Sequence, residues 1–274
     1  MLELALGETA TDCRQPDGCR FVRESRDAAG HPFAAAHAAP DAYWLSWPRL
    51  GLFQFAPPDR RILFHPQPAV DVALARSEFA RTIQPLLLPA YGVQALHASA
   101  AATPEGAVLF AGLGGAGKST LAFALGLESG CRPLADDAVA FTCDERAVRL
   151  MPLPFSAQLR PASASHFASR ASWPSASPPA APLNVSLVIL LEQRLVPEPV
   201  LHPVPQAEAF SRVVTHAHAF DPSSREERAR FVSDYMTLAA RVPVMTLTYA
   251  PRFDELSRVT TLVRQAVAAD VTAS

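Results

Sequence analysis

Apolar and polar positions change rhythm several times along the chain. Residues 1 to about 40 hold no clear period and read as irregular. Residues 42–65, AYWLSWPRLGLFQFAPPDRRILFH, alternate short apolar runs with Pro and Asp breakers, which predicts two or three short strands. Across 71–90, Val72, Leu74, Phe79, Ile83 and Leu87 recur at helical spacing, and Pro85 is expected to kink or end that helix. GAVLFAG (106–112) reads as a short apolar strand, GGAGKST as a turn, and LAFALGLESG as a helix closed by Gly130. CRPLADDAVAF (131–141) begins a second strand region, and DERA is a hairpin turn before VRLMPLPF. Strand, glycine loop, helix and strand together form a βαβ-like unit. RASWPSASPPAAPL (170–183) is expected to be a mobile loop, and NVSLVILLE (184–192) a buried strand. Two helices follow, at about 205–218 and 224–241, then the strand VPVMTLTY (242–249) and a closing helix over 252–269.

Composition narrows this picture. At 274 residues, 49% apolar and 18% charged, the chain has the makeup of a globular protein with a sizeable core. A formal net charge of −2 without a basic stripe argues against a nucleic-acid partner. No stretch approaches the roughly 20 apolar residues of a membrane span, and the N-terminus MLELALGETATDC lacks the basic-then-apolar order of a signal peptide. Cys13, Cys19, Cys131 and Cys143 have no metal-type spacing and read as reduced thiols of a cytoplasmic protein.

Arginine supplies every long cation except Lys118, which sits in AGLGGAGKST. Gly112, Gly117, Lys118 and Ser119 meet the pattern Gly-x4-Gly-Lys-Ser, and four of the 12 glycines fall at 112, 114, 115 and 117. Without Cβ atoms, successive backbone N–H groups there can turn inward around a phosphate. Gly114, Gly115, Ala116 and Thr120 complete the expected cradle, and the helix beginning near Lys118 adds its positive end. Lysine suits the ring of amides because its ammonium is compact, whereas a guanidinium is a wide planar fork. Ser119 offers a hydroxyl to Mg²⁺. The loop does not name the reaction, because GTPases, ATPases and several kinds of kinase share it.

A second group surrounds it. LHASA (96–100) precedes the loop's strand and LADD (134–137) follows its helix, so in a parallel sheet both would approach the phosphates. One carboxylate of Asp136 and Asp137 could hold Mg²⁺ while the other accepts a hydroxyl proton. Neighbours in a strand point to opposite faces, so both reach the chemistry only if the backbone turns between them. His97 could orient that acid or be an ordinary satisfied polar group.

Together, LHASA, AVLFAGLGGAGKSTLAFAL and PLADDAVAF resemble the catalytic domain of the HPr kinase/phosphorylase family, which shares a P-loop fold with bacterial PEP carboxykinase. The resemblance covers residues 95–142, and MPLPFSAQLRPAS (151–163) is similar to a later segment in which a basic residue follows a PLP stretch. It implies an α/β nucleotide-binding fold, a mixed sheet with flanking helices over 93–274, beside a smaller N-terminal α+β region over 1–92 for substrate docking or regulation. It implies that His97 and Asp136 form an acid/base pair acting on a serine, that Asp137 lies near the metal, that Lys118 and Ser119 hold ATP and Mg²⁺, and that Arg160 contacts phosphate; the bland reading of Arg160 is a surface arginine. It also implies a homo-oligomer. The chain departs from the family at Gly114, where serine is common, and lacks the downstream Arg-Gly segment tied to phosphorolysis.

The expectation is therefore a kinase that moves the γ-phosphoryl group of ATP to a hydroxyl, a serine of a small protein or peptide first. The alternatives are a nucleotide-dependent regulatory or assembly ATPase and a small-molecule kinase. His216 and His218 diverge if they lie on a helix, so no metal pair is expected. In PSSREERARF, Ser223 or Ser224 is expected to cap a helix whose first turn holds Glu226 and Glu227. Tyr43, Trp44 and Trp47 read as core or interface residues.

Overall fold

The structure is a computed structural model that describes residues 1–10, 17–26, 30–151, 153, 155, 159–168, 181–218 and 224–273. It divides into two compact units, Met1–Tyr91 and, separately, Gly92–Ala219 with Ser224–Ser274. Both are mixed α/β, each built on a sheet with parallel and antiparallel pairs.

The first unit holds β1 (Glu3–Leu6), β2 (Arg20–Arg26), β3 (Pro32–Ala38), β4 (Tyr43–Trp47), β5 (Gly51–Phe55) and β6 (Arg61–Pro66), in the order β1-β6-β5-β4-β3-β2. The region read as irregular thus carries three strands. They escaped notice because β2, RFVRESR, is exposed along most of its length and β3, PFAAAHA, is built largely from alanine. Over the sheet runs α1 (Val72–Glu78), a π turn at Phe79–Ile83, α2 (Gln84–Leu87) and a 3-10 turn. Pro85 does not end the helix. The wider turn before it absorbs the missing donor, with Gln84 N–H reaching back to Phe79 O. Phe79, Ile83 and Leu87 are buried, whereas Leu74 points to solvent. Phe53 stacks on Phe64 at 4.6 Å and on Phe79 at 6.0 Å, joining sheet and helix. Trp47 is buried, Tyr43 and Trp44 only partly.

The second unit contains β7 (Gln94–Leu96), β8 (Ala98–Thr103), β9 (Gly106–Ala111), α3 (Lys118–Gly126), β10 (Arg132–Ala135), β11 (Val139–Cys143), β12 (Val148–Met151), α4 (Pro161–Phe167), β13 (Leu183–Gln193), β14 (Val200–Pro203), α5 (Gln206–Val214), the short β15 (Ala217–His218), α6 (Arg225–Arg241), β16 (Val244–Tyr249) and α7 (Leu256–Ala273). The expected elements from 184 onward are present, with ends shifted by a few residues. Most of 170–183 lies outside the described residues.

The topology corrects the parallel picture around the loop. β8 runs antiparallel to β9 and β10 antiparallel to β8, so β9-α3-β10 is a parallel crossover with β8 inserted between its strands. β9, β13 and β16 are parallel neighbours. Alternate residues of β9 serve two cores. Ala107, Leu109 and Ala111 pack with Val213, Tyr235 and Leu238 of α5 and α6. Val108 and Phe110 face Leu121, Phe123 and Leu125 of α3 and Val259, Val263 and Val267 of α7. α3 ends at Gly126, where a Cβ would sit 2.5 Å from a Pro133 ring carbon; Gly130 (φ +78°) lies in the turn beyond. Ser224 caps α6 in a reciprocal box with Glu227. No described helix is long and apolar enough to cross a membrane.

Candidate functional site

The register gathers the sequence-predicted residues at one rim of the second unit's sheet. Ala98, at the start of β8, pairs with Ala111, at the end of β9, so His97 lies beside the glycine loop. Ala135, at the end of β10, pairs with Ala100 of β8, which brings Asp136 to the same rim.

In the loop, Gly115 and Gly117 adopt φ of +87° and +90°. Gly117 caps α3 without any side-chain hydrogen bond, and the first intrahelical bond runs from Leu121 N–H to Gly117 O at 2.9 Å. The amides of Lys118, Ser119 and Thr120 are therefore helix-start donors with no intrahelical acceptor, an arrangement suited to an anion. Gly112 is needed for packing: a Cβ there would lie 3.1 Å from Ala116 Cβ and 3.2 Å from Leu191 Cβ. Gly114 meets open space.

Lys118 is buried and folds back over the loop. Its Nζ donates to Gly112 O at 2.9 Å and to Leu113 O at 3.2 Å. Burial holds this ammonium below the usual lysine range; the Asp137 and Asp136 carboxylates push it back up, and Arg160 lowers it further. Lys118, both acids and Arg160 thus share one electrostatic neighbourhood. Arg160 precedes α4, and a Cβ on Gly115 would fall 3.2 Å from its Nη1, so the guanidinium overlies the loop. Thr120 and Ser163 share a hydroxyl hydrogen bond at 2.9 Å, tying α3 to α4. Ser119 is the other hydroxyl in that first turn.

The two aspartates part company at a turn. Asp137 takes φ +68°, the left-handed region that aspartate tolerates better than most residues. Asp136 is buried, and its Oδ1 accepts from Ser99 Oγ at 2.8 Å and from Asp137 N–H at 3.1 Å. Asp137 keeps 54% of its side chain exposed. His97 Nδ1 lies 3.0 Å from Asp137 O and 3.5 Å from Asp137 Oδ1, so the imidazole props the turn that separates the acids.

No protein-family model matches the chain, and no curated protein matches it. Among solved structures it is similar to the Hpr(Ser) kinase/phosphatase from Coxiella burnetii, at 16% identity over 63% of this chain and 95% of that one, with a TM-score of 0.34. At that identity and TM-score the likeness says nothing of what this chain acts on. The chemistry rests on the residues themselves.

Several neighbours of the site were not legible in its motifs. Ser99, inside LHASA, is the hydroxyl that reaches Asp136. Gln193 and Tyr249 touch the loop from the ends of β13 and β16. His216 is not on a helix, contrary to expectation: it sits in a turn, with His218 on β15. Its carbonyl accepts from His97 N–H at 2.7 Å, and the His218 ring packs 5.8 Å from that of His97. Burial lowers the His216 pKa, and Lys118, His97 and Arg212 lower it further. Glu192, at the same end of β13, pairs with Arg212 at 3.0 Å. Among the described residues no group of three or more His, Cys, Asp or Glu side chains is placed to hold a metal ion by itself. Any Mg²⁺ here would need the nucleotide's oxygens as well.

Proposed function

We propose that this chain is an ATP- and Mg²⁺-dependent phosphotransferase that moves the γ-phosphoryl group to a hydroxyl, a serine of a protein or peptide. The observation that carries this reading is the placement of two differently held carboxylates beside the loop lysine. Asp136 is buried and fixed by hydrogen bonds, whereas Asp137 is open to solvent. A hydrolase needs only to position water. A buried carboxylate at the rim, with a second exposed at the adjacent turn, suits a site that deprotonates an acceptor while a triphosphate is held nearby.

In this reading the acceptor oxygen attacks the γ-phosphorus, the bond from that phosphorus to the β–γ bridging oxygen breaks, ADP departs, and the acceptor proton passes to Asp136. Lys118, Arg160 and the loop amides spread the charge on the transferring group. Ser119 and Asp137 would hold Mg²⁺, whose charge offsets that of the β- and γ-phosphates. His97 keeps Asp137 turned away from Asp136. The first unit is proposed to dock or regulate the acceptor.

The test uses the full chain with γ-labelled ATP, Mg²⁺ and host extract. Label should appear on a protein or peptide, and Asp136→Asn should retain Mg·ATP binding while losing transfer. Intact transfer by Asp136→Asn removes the base assignment. Label confined to a low-mass fraction would make the acceptor a small molecule, and nucleotide hydrolysis without any labelled acceptor would make the chain a regulatory ATPase.

A further inference from the structure

Two side chains from the parallel strands grip successive carbonyls of the glycine loop. Gln193 Nε2 donates to Gly115 O at 3.2 Å, and Tyr249 Oη donates to Ala116 O at 2.7 Å. Gln193 and Tyr249 are register partners on β13 and β16, and Gln193 Nε2 lies 3.5 Å from Tyr249 Oη. Burial raises the Tyr249 phenol above its ordinary range, so it remains a hydrogen-bond donor across the working pH range.

A trans peptide is planar, with its C=O and N–H pointing in opposite directions. The Ala116 carbonyl shares its plane with the Gly117 amide, and the Gly115 carbonyl shares its plane with the Ala116 amide. Drawing these carbonyls toward Tyr249 and Gln193 therefore turns both amides the other way. The Ala116 N–H is used within the turn, donating to Leu113 O at 3.0 Å. The Gly117 N–H is aimed away from Tyr249, next to the helix-start amides that follow it. Tyr249 also sets what Gly117 can be, because a Cβ there would lie 2.1 Å from its hydroxyl oxygen.

We propose that Tyr249 and Gln193 are positioning residues that orient the loop's peptide planes so that the Gly117 amide meets the phosphate of a bound nucleoside triphosphate. The inference rests on the nucleotide reading of the loop and adds to it two residues far away in sequence.

The test is Mg·ATP and Mg·GTP titration of the full chain by calorimetry, with the Gly117 amide followed by ¹H–¹⁵N correlation. Wild type should bind one of these nucleotides and shift the Gly117 resonance. Tyr249→Phe keeps the ring and loses the hydroxyl; it should bind about tenfold more weakly and lose most of that shift. Gln193 is exposed, so Gln193→Leu should fold normally and bind about threefold more weakly, and it decides the matter should Tyr249→Phe fail to fold. A Gly117 shift and affinity equal to wild type in the folded variants would overturn the positioning role and leave the nucleotide site standing. Wild type that binds neither nucleotide would bring down the nucleotide reading and this inference with it.

Discussion

Gly117→Ala tests the loop geometry at its most constrained point. Two separate costs fall on one methyl group. The residue sits at φ +90°, where an L side chain costs about 1–2 kcal/mol. The new Cβ would also stand 2.1 Å from Tyr249 Oη, an overlap of the kind that costs about 1–3 kcal/mol to relieve. Together these give about 2–5 kcal/mol, or a fall of roughly 5–15 °C in thermal midpoint for a unit of this size. The costs separate in a double variant. Tyr249→Phe removes the oxygen and leaves a ring carbon at 3.5 Å, an ordinary contact. Gly117→Ala/Tyr249→Phe should therefore regain the packing share less about 1 kcal/mol for the lost hydrogen bond to Ala116 O, and should still bind Mg·ATP poorly. Gly114→Ser is the control: nothing lies within 4 Å of the added Cβ, so stability should stay within about 0.5 kcal/mol of wild type. Calorimetric scans and nucleotide titrations of the four proteins give the answer. A Gly117→Ala chain with wild-type midpoint and affinity would refute the claim that this position must be left-handed and bare.

Three further outcomes follow from the same geometry. Lys118→Met should abolish Mg·ATP binding by calorimetry with little loss of thermal midpoint, because the ammonium it removes is already penalised by burial. The lowered His216 pKa means that the folded protein resists a proton the unfolded chain accepts; stability should be complete above pH 6.5 and fall as pH drops below it, and His216→Gln should flatten that part of a pH-resolved melting series. Burial, then Asp234, pushes the Cys143 thiol up to about 12, so iodoacetamide at mildly alkaline pH should modify it more than tenfold slower in the native protein than in urea, as mass mapping of the peptide would show.

The loop, its strand and its helix were legible because glycine spacing and a dense apolar run are local signals. The same holds for the capping box at Ser224, where serine, glutamate and the helix start lie within four residues. β8 was not legible. Its six residues, ASAAAT, are all buried, yet alanine and serine carry too little hydrophobic contrast to announce a strand. The antiparallel insertion of β8 was missed for the same reason. The turn between Asp136 and Asp137 could be posed as a condition but not read, because aspartate is compatible with both extended and left-handed backbone. Tyr249 lies 133 residues from the carbonyl it holds, and nothing in TLTY marks that tyrosine as different from any other strand aromatic.

β16 is the last strand laid into the sheet, and it brings Tyr249 to a loop whose glycines lie in the middle of the chain. The loop thus gains this contact only when the segment from Val244 onward has docked. A nascent or clipped chain that stops before Val244 would carry every residue of the Gly-Lys-Ser motif without the Tyr249 hydroxyl that holds Ala116 O, so on the proposed reading nucleotide retention would report completed folding.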